Sequence, residues 1–556
     1  MSHITHTLQI LPDQRTLSAP AHAHLHEVLD QHGIALTAHC DGMGLCGKCI
    51  VRITLADGST PAPTPADLRA LSDAQRAAGL RLACMWRVCC DATIEIPGTS
   101  RVTDLHILAS ADDTPLQPTE RTHDGRPYGI AVDIGSTTVV GALLDLRSGD
   151  TRAVAGRVNA QRVYGADVIS RINHALQDGG GRELHLALTG TLNTIIAALL
   201  SEAQTSADTI AEITLTGNAV MLHSLHQAPM HTLATLPFEP AFHRAHTLPA
   251  HALGLALDGH ARAYTFPLIG GFVGGDTVAC MLATGMDEAA ECQMIIDIGT
   301  NGEVALGCRR GWTATSAPAG PAFEGARISC GMHGAAGAIE HVVITPESVE
   351  LDVIDEQTPR GICGTGLIDI TAALLDWGML DASGRLLAED ELPASVPAWL
   401  RARVVPHEGD LAFVLFNPAH DEYIKNETTA APLHLTQRDF RELQLAKAAI
   451  AVACELLVQR AGLTYDDVTA VYLAGAFGNY LRPATARRIG LLPQVPLEKI
   501  KFIGNAASTG ARQALVSLHH RARAEELAAR AGHVDLAAES AFQMAYAEHM
   551  FFPEPS

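Results

Sequence analysis

Basic charge and aromatic side chains are scarce in this chain, and long apolar runs are missing. Its 556 residues carry 39 Lys and Arg against 61 Asp and Glu, a net charge of −22. The broad basic face that binds nucleic acid or an anionic membrane is therefore excluded. Aromatics make up 4% of the chain while 47% is hydrophobic, so full-sized cores must be packed from Ala, Leu, Ile and Val. No run of the roughly 18 apolar residues needed for a membrane span is read. The start, MSHITHTLQILPDQ, lacks the basic segment and apolar stretch of a secretory signal. The expected compartment is the cytoplasm, where disulfides are rare. No Gly-x4-Gly-Lys-Ser/Thr motif occurs, which excludes a P-loop. At roughly 150 residues per domain the length predicts three or four domains.

What is present is a cluster of cysteines. Six of the twelve, Cys40, Cys46, Cys49, Cys84, Cys89 and Cys90, fall within 51 residues. The others (Cys280, Cys292, Cys308, Cys330, Cys363 and Cys454) are scattered and read as small buried hydrophobes. Cys40-x5-Cys46-x2-Cys49, followed by Cys84, approaches the spacing of a plant-type [2Fe–2S] site, with a first gap of five residues where the plant pattern has four. Four thiolates must converge on two irons, so the loop wraps tightly. Gly42, Gly44 and Gly47 permit that path and free N–H groups to point at the sulfides. Cys84 is taken as fourth ligand, ahead of Cys89 and Cys90. A tetrahedral zinc site is the alternative, but zinc usually draws on two matched cysteine pairs.

Around this loop, residues 6–10 and 15–18 read as strands joined by a turn at 12–14. Residues 22–32 read as a short helix, and 50–55 and 93–96 as further strands. His22, His24 and His26 on that helix read as a solvated face. Residues 1–98 thus form one ββα…β unit. Residues 99–127 are polar and proline-bearing, a linker without its own core. As a flexible coil of 29 residues it would reach about 30 Å, from 5–6 Å times the square root of length.

From Tyr128 the pattern alternates apolar strands and helices. Val132-Asp133-Ile134-Gly135-Ser136-Thr137 and Ile296-Asp297-Ile298-Gly299-Thr300-Asn301 resemble each other across 164 residues, a weak repeat suggesting two related α/β lobes. Each is a strand–turn–strand whose glycine and hydroxyl residues present N–H groups to phosphate oxygens. Asp133 and Asp297 at the strand ends can hold Mg²⁺ through water. The phosphate-binding candidates are Gly135, Ser136, Thr137 and Thr138, then Gly299, Thr300, Asn301 and Gly302, with Glu303 beyond. A third turn holds Gly475, Ala476 and Gly478, small enough for a nucleoside to approach. Gly274-Gly275-Asp276-Thr277 reads either as a polar turn of the same cleft or as a helix start. A helix is expected over 437–460, with Thr436 and Asp439 as its capping box and Leu445, Ala449, Val452 and Leu456 facing a core. Glu340 and Lys447 are candidates for cleft contacts, or ordinary helix-surface residues.

Taken in order, these segments resemble the reductive activators of corrinoid-dependent enzymes. Further segments carry the likeness: Thr216-Gly217-Asn218, Pro237-Phe238, Gly270 to Asp276, Ala319 to Gly325, Gly361 to Leu367, and Leu443 to Lys447. The resemblance covers nearly the whole chain, departing mildly after Asn218 and at the extra Cys89-Cys90 pair. It implies an α/β and α+β multidomain fold. A β-grasp [2Fe–2S] ferredoxin domain (1–98) and the linker (99–127) would precede two actin-like, RNase H-like lobes (128–290 and 291–550). It implies an enzyme that binds ATP and Mg²⁺. This enzyme would return one electron from the cluster, held by Cys40, Cys46, Cys49 and Cys84, to inactive Co(II) on a corrinoid methyltransferase protein. The electron donor would be a reductase, ferredoxin or flavodoxin, and the activator a homodimer, with no nucleic-acid or membrane partner. A plant-type cluster near roughly −400 mV is an uphill donor to Co(II). Either ATP-linked lobe closure or methylation of Co(I) must therefore draw the reaction forward. The rival readings are a redox-sensing chaperone of a corrinoid partner, a small-molecule kinase of the same superfamily, and an activator of acyl-CoA dehydratases. The last would hold a [4Fe–4S] cluster between subunits.

Overall fold

A computed structural model of the chain describes residues 5–12, 14–32, 34, 36, 49–71, 73–97, 116, 125–299, 301–418, 421, 432–478, 480–539 and 541–554. It divides into two compact units. One is residues 1–105 with 163–166, and the other is the remainder.

The first unit follows from period-two alternation. Leu8 and Ile10 of β1 (Thr5–Leu11), Val51 and Ile53 of β3 (Ile50–Leu55) and Ile94 of β5 (Ala92–Glu95) all point to one face and are buried. With β2 (Arg15–Pro20) and β4 (Leu80–Leu82) they form one sheet in the order β2-β1-β5-β3-β4. The helix Leu25–Gln31 sets Leu25, Val28 and Leu29 into the same core. A segment unmarked in the sequence reading, Thr64-Pro65-Ala66-Asp67, makes a capping box at the helix Pro65–Ala70. Buried Asp67 also accepts from Leu82 N–H at 2.8 Å, fixing the strand that leads into Cys84.

The second unit holds two six-stranded sheets. The first contains β6 (Tyr128–Ile134), β7 (Thr138–Asp145), β8 (Thr151–Val158), β9 (Ile210–Gly217), β10 (His246–Pro249) and β11 (Arg262–Thr265). Its order is β10-β11-β9-β6-β7-β8. The second contains β12 (Cys292–Ile298), β13 (Gly302–Cys308), β14 (Gly311–Ala317), β21 (Val468–Ala474), β22 (Ile500–Phe502) and β23 (Gly532–His533), in the order β22-β21-β12-β13-β14-β23. Each sheet opens with three antiparallel strands and adds parallel strands beside the first. The weak sequence repeat is therefore a repeat of topology. Asp133 lies opposite Thr216 of β9, and Asp297 opposite Ala474 of β21, at matching places. Two three-stranded sheets are inserted between β14 and β21. They comprise β15 (Ala338–Ile344), β16 (Val349–Val353) and β17 (Gly361–Ile362), then β18 (Val404–His407), β19 (Asp410–Phe416) and β20 (Leu433–Thr436).

The helices Gly275–Thr284 and Ala506–Val516 pack so closely that a Cβ on Gly510 would lie 2.1 Å from the Ala279 carbonyl oxygen. Ala131, Leu144, Val278, Ile295, Ala305 and Leu515 join one apolar cluster there, so both sheets share it. Leu188, Leu192, Ile195, Ile196 and Leu199 of the helix Gly180–Glu202 are buried in the first sheet's core. That helix is long and apolar enough by composition to cross a membrane, which corrects the reading that no such stretch exists; its apolar residues go into this core. The helix Gln437–Arg460 starts at the expected Thr436–Asp439 box. Ala449, Val452 and Leu456 are buried as expected, while Leu445 is half-buried.

Candidate functional site

Between Ile134 and Thr138 the chain reverses in a turn that needs glycine: a Cβ on Gly135 would lie 2.5 Å from the Thr138 carbonyl oxygen. Three successive carbonyls of the turn are held by donors from the first lobe. Asn159 donates from Nδ2 to Gly135 O and from its N–H to Thr137 O, each at 2.9 Å. The fully buried Arg171 donates to Ser136 O at 2.7 Å. Asn218 donates to Ser136 Oγ at 2.9 Å while capping the helix Ala219–His226. Gly274 packs against this cap, where a Cβ would meet Asn218 Cα at 2.4 Å. Thr216-Gly217-Asn218 and Gly274-Gly275-Asp276 thus support the first turn from behind. Asn159 and Arg171 escaped the sequence reading, because nothing local marks a residue that donates across a lobe.

In the second lobe, Gly299 N–H donates to Asn301 O at 3.0 Å, closing the equivalent turn. Gly302 begins β13 against the helix Gln437–Arg460, where a Cβ would lie 2.5 Å from Ile450. Thr300 lies outside the described residues. Gly475 opens a short helical turn, Gly475–Gly478, at φ 84°. Its Cβ would stand 2.4 Å from Asp297 Oδ1, so only glycine lets this turn approach the carboxylate. Phe477 and Phe323 pack with ring centres 5.2 Å apart and planes tilted by 35°. A Cβ on Gly364 would meet both residues, which brings the segments 319–325 and 361–367 to the third turn.

Four carboxyls converge here. Asp133 and Asp297 end the first strands of their sheets. Asp276 sits in the first turn of the helix Gly275–Thr284, and Glu303 pairs across from Asp297. Protein surrounds all four, yet each stays partly accessible, as residues lining a deep crevice do. Burial pushes Asp133 and Asp276 up to about 7 and Asp297 up to about 6. Glu303 is raised well above its usual range, again chiefly by burial. Repulsion from Asp297 adds to the rise at Asp133, Asp276 and Glu303. The opposing donors are Asn505 Nδ2 to Asp133 at 3.0 Å, Thr277 N–H to Asp276 at 2.8 Å and Ser316 Oγ to Glu303 at 3.1 Å. Asn505 also caps the helix Ala506–Val516; it ties a second-lobe helix to the first lobe's Asp133. Such a cluster favours a cation. Among the described residues, however, no three His, Cys, Asp or Glu are placed to hold a metal by themselves. The geometry suits an ion that keeps waters and phosphate oxygens among its ligands.

In the other unit, Cys49 Sγ and Cys84 Sγ lie 3.2 Å apart, both buried. His22 and His24 precede the helix Leu25–Gln31 and only His26 lies on it. His24 is engaged with Cys84 O at 3.0 Å, so the segment before the helix touches the residue that carries the thiol. Cys40 and Cys46 lie outside the described residues, as does most of the linker. Cys89 is exposed and Cys90 half-buried. Glu340 stands on β15, not on a helix. Lys447 is buried under the C-terminal segment, donating to Phe551 O at 2.5 Å; it is neither a surface residue nor placed with the acidic cluster.

Comparison with known proteins gives three family matches in chain order. The 2Fe-2S iron-sulfur cluster binding domain matches residues 8–89, the RACo middle region 128–289, and the C-terminal domain of RACo, the ASKHA domain, 291–556. The chain is 34% identical over 429 residues to a corrinoid activation enzyme of Eubacterium limosum, covering 76% of this chain and 70% of that protein. It is 24% identical over 452 residues to a Co(II) methylated amine-specific corrinoid protein reductase of Methanosarcina barkeri, covering 75% of this chain and 76% of that one. A solved structure of a reductive activator for a corrinoid, iron-sulfur protein aligns with TM-score 0.67 and 28% identity, over 99% of this chain and 98% of that one.

Proposed function

The chain belongs to the reductive activators of corrinoid proteins, and from that premise we propose how its residues divide the work. It is an ATP-dependent iron–sulfur reductase that activates a corrinoid protein. The chaperone, kinase and dehydratase-activator readings are not favoured by relatives that are corrinoid activation and reductase enzymes.

Cys40, Cys46, Cys49 and Cys84 are assigned as the ligands of the [2Fe–2S] cluster, which when bound supplies a one-electron carrier. The 3.2 Å approach of Cys49 and Cys84 in an apolar core supports the two as members of one ligand set. His24 and Asp67 position Cys84 through its carbonyl and its strand. Gly135, Ser136, Thr137 and Thr138, with Gly299, Thr300, Asn301 and Gly302, hold the ATP phosphates; Gly475, Ala476 and Gly478 hold the nucleoside. Asp133 and Asp297, with Asp276 and Glu303 beside them, hold Mg²⁺ through water. Asp133 belongs to one sheet and Asp297 to the other, so their repulsion opposes approach of the lobes. A cation bound with the nucleotide removes that repulsion and favours the closed arrangement. The substrate is Co(II) on the corrinoid protein, reduced to Co(I). We assign residues 1–98 to the ferredoxin domain, 99–127 to a tether, and 128–290 and 291–550 to the lobes. The active species is a cytoplasmic homodimer fed by a reductase, ferredoxin or flavodoxin.

The observation that carries this reading is the convergence of acidic strand ends from two topologically equivalent sheets, in one chain with a ferredoxin fold. The test is visible spectroscopy of Co(I) formation, under anaerobic conditions with a reductant and a purified corrinoid protein. Co(I) should form with ATP and the loaded activator, and not when either is omitted. Equal Co(I) formation without ATP, or with Asp133→Asn, would overturn the assignment.

A further inference from the structure

At the far end of the β12–β13 hairpin from the acidic cluster stands a second pair of thiols. The pairing of Gln293 with Gly307, continued by one residue, sets Cys292 directly opposite Cys308. Their sulfurs are 3.4 Å apart, so bond formation needs an approach of about 1.4 Å. Directly opposed residues on antiparallel strands hold their Cβ atoms near disulfide range. The two residues are 8% and 2% exposed, and Arg310, two positions beyond Cys308, is exposed. The pair therefore lies just beneath the surface.

The two sulfurs are not equivalent. Despite burial, Cys308 is held below the usual thiol range by the neighbouring Arg310, through its backbone N–H and its charge, and by the Cys292 thiol, which donates to it. Burial and the Cys308 sulfur push Cys292 up. By contrast, burial pushes Cys454 up to about 12 and holds Cys280 well above the usual thiol range. Thiolate character decides which cysteine attacks a disulfide.

We propose that Cys292 and Cys308 are a redox-modification site, closing to a reversible cross-strand disulfide by exchange with a low-molecular-weight disulfide such as oxidised glutathione. The Cys308 thiolate attacks one glutathione sulfur, forming a mixed disulfide and releasing one glutathione thiolate. Cys292 then loses its proton and attacks the Cys308 sulfur, and the second glutathione leaves. Two protein thiols are oxidised and one glutathione disulfide is reduced to two thiols, so atoms and electrons balance.

The test uses the full-length, cluster-loaded chain. It is exposed anaerobically to graded oxidised glutathione, quenched in acid, alkylated after unfolding and mapped by peptide mass. The expected result is a linked pair of Cys292 and Cys308 peptides, reversed by dithiothreitol, while Cys280 and Cys454 are recovered alkylated. In Cys292→Ser a glutathione adduct should accumulate on Cys308, on the order of tenfold faster than on Cys292 in Cys308→Ser. Recovery of both residues as free thiols, at a ratio that glutathionylates exposed Cys89, would overturn the site. A faster adduct on Cys292 would overturn the assigned attack. If either variant fails to fold, the wild-type map alone decides.

Discussion

Asp297→Asn should stabilise the nucleotide-free protein and disable it. Burial alone raises Asp297 from 3.8 to about 6, which corresponds to about 3 kcal/mol at 1.36 kcal/mol per pH unit. Solvent reaching the crevice screens part of this, so the cost at neutral pH is about 1–3 kcal/mol. The sign follows from proton uptake. The folded value lies above the unfolded one, so between pH 4 and 6 the folded state binds a proton that the unfolded state has released, and stability falls as pH rises. Asparagine keeps the shape and removes the charge. Its melting temperature should therefore exceed wild type by about 1–3 °C at pH 8, taking about 1 °C per kcal/mol for a unit of this size, and the gain should vanish below pH 4. Wild type should gain further stability with MgATP through ligand linkage; the variant should not, and its ATPase should fall about 100-fold or more. Calorimetry across pH, with and without MgATP, reads both arms. A variant no more stable than wild type at pH 8, or a gain independent of pH, would refute the claim that this carboxylate is held at an electrostatic cost.

Gly475→Ala should lose most nucleotide binding by calorimetric titration while keeping its circular dichroism, because the left-handed φ costs about 1–2 kcal/mol and the new methyl drives into Asp297. Cys84→Ser should abolish the visible iron–sulfur bands and Co(I) formation, yet leave ATP hydrolysis within about twofold, since the thiol and acidic sites belong to different units. Lys447→Met tests the buried ammonium, whose value burial lowers to about 7. The unfolded lysine binds a proton between pH 7 and about 10 that the folded one does not, so wild-type stability should climb with pH there. The methionine variant should flatten that climb in pH-dependent melts.

The local grammar of this protein is written in its sequence. Alternation marked β1 and β5, Thr436 and Asp439 marked the start of a long helix, and the glycine turns after Asp133 and Asp297 stood out because turns and caps are set by neighbouring residues. The paired turns even announced a repeated topology. Interior helices and strands were harder to tell apart. The helix Gly180–Glu202 owes its apolarity to a core, and Glu340 fell on a strand, since burial on several sides erases the periodicity that separates the two states. Only the tertiary structure decided the company each residue keeps. Asn505 meets Asp133 across 372 residues, Arg171 reaches Ser136, Lys447 disappears beneath Phe551, and Cys292 faces Cys308. Such partnerships depend on chain segments brought together by packing, and the local order of residues carries no record of them.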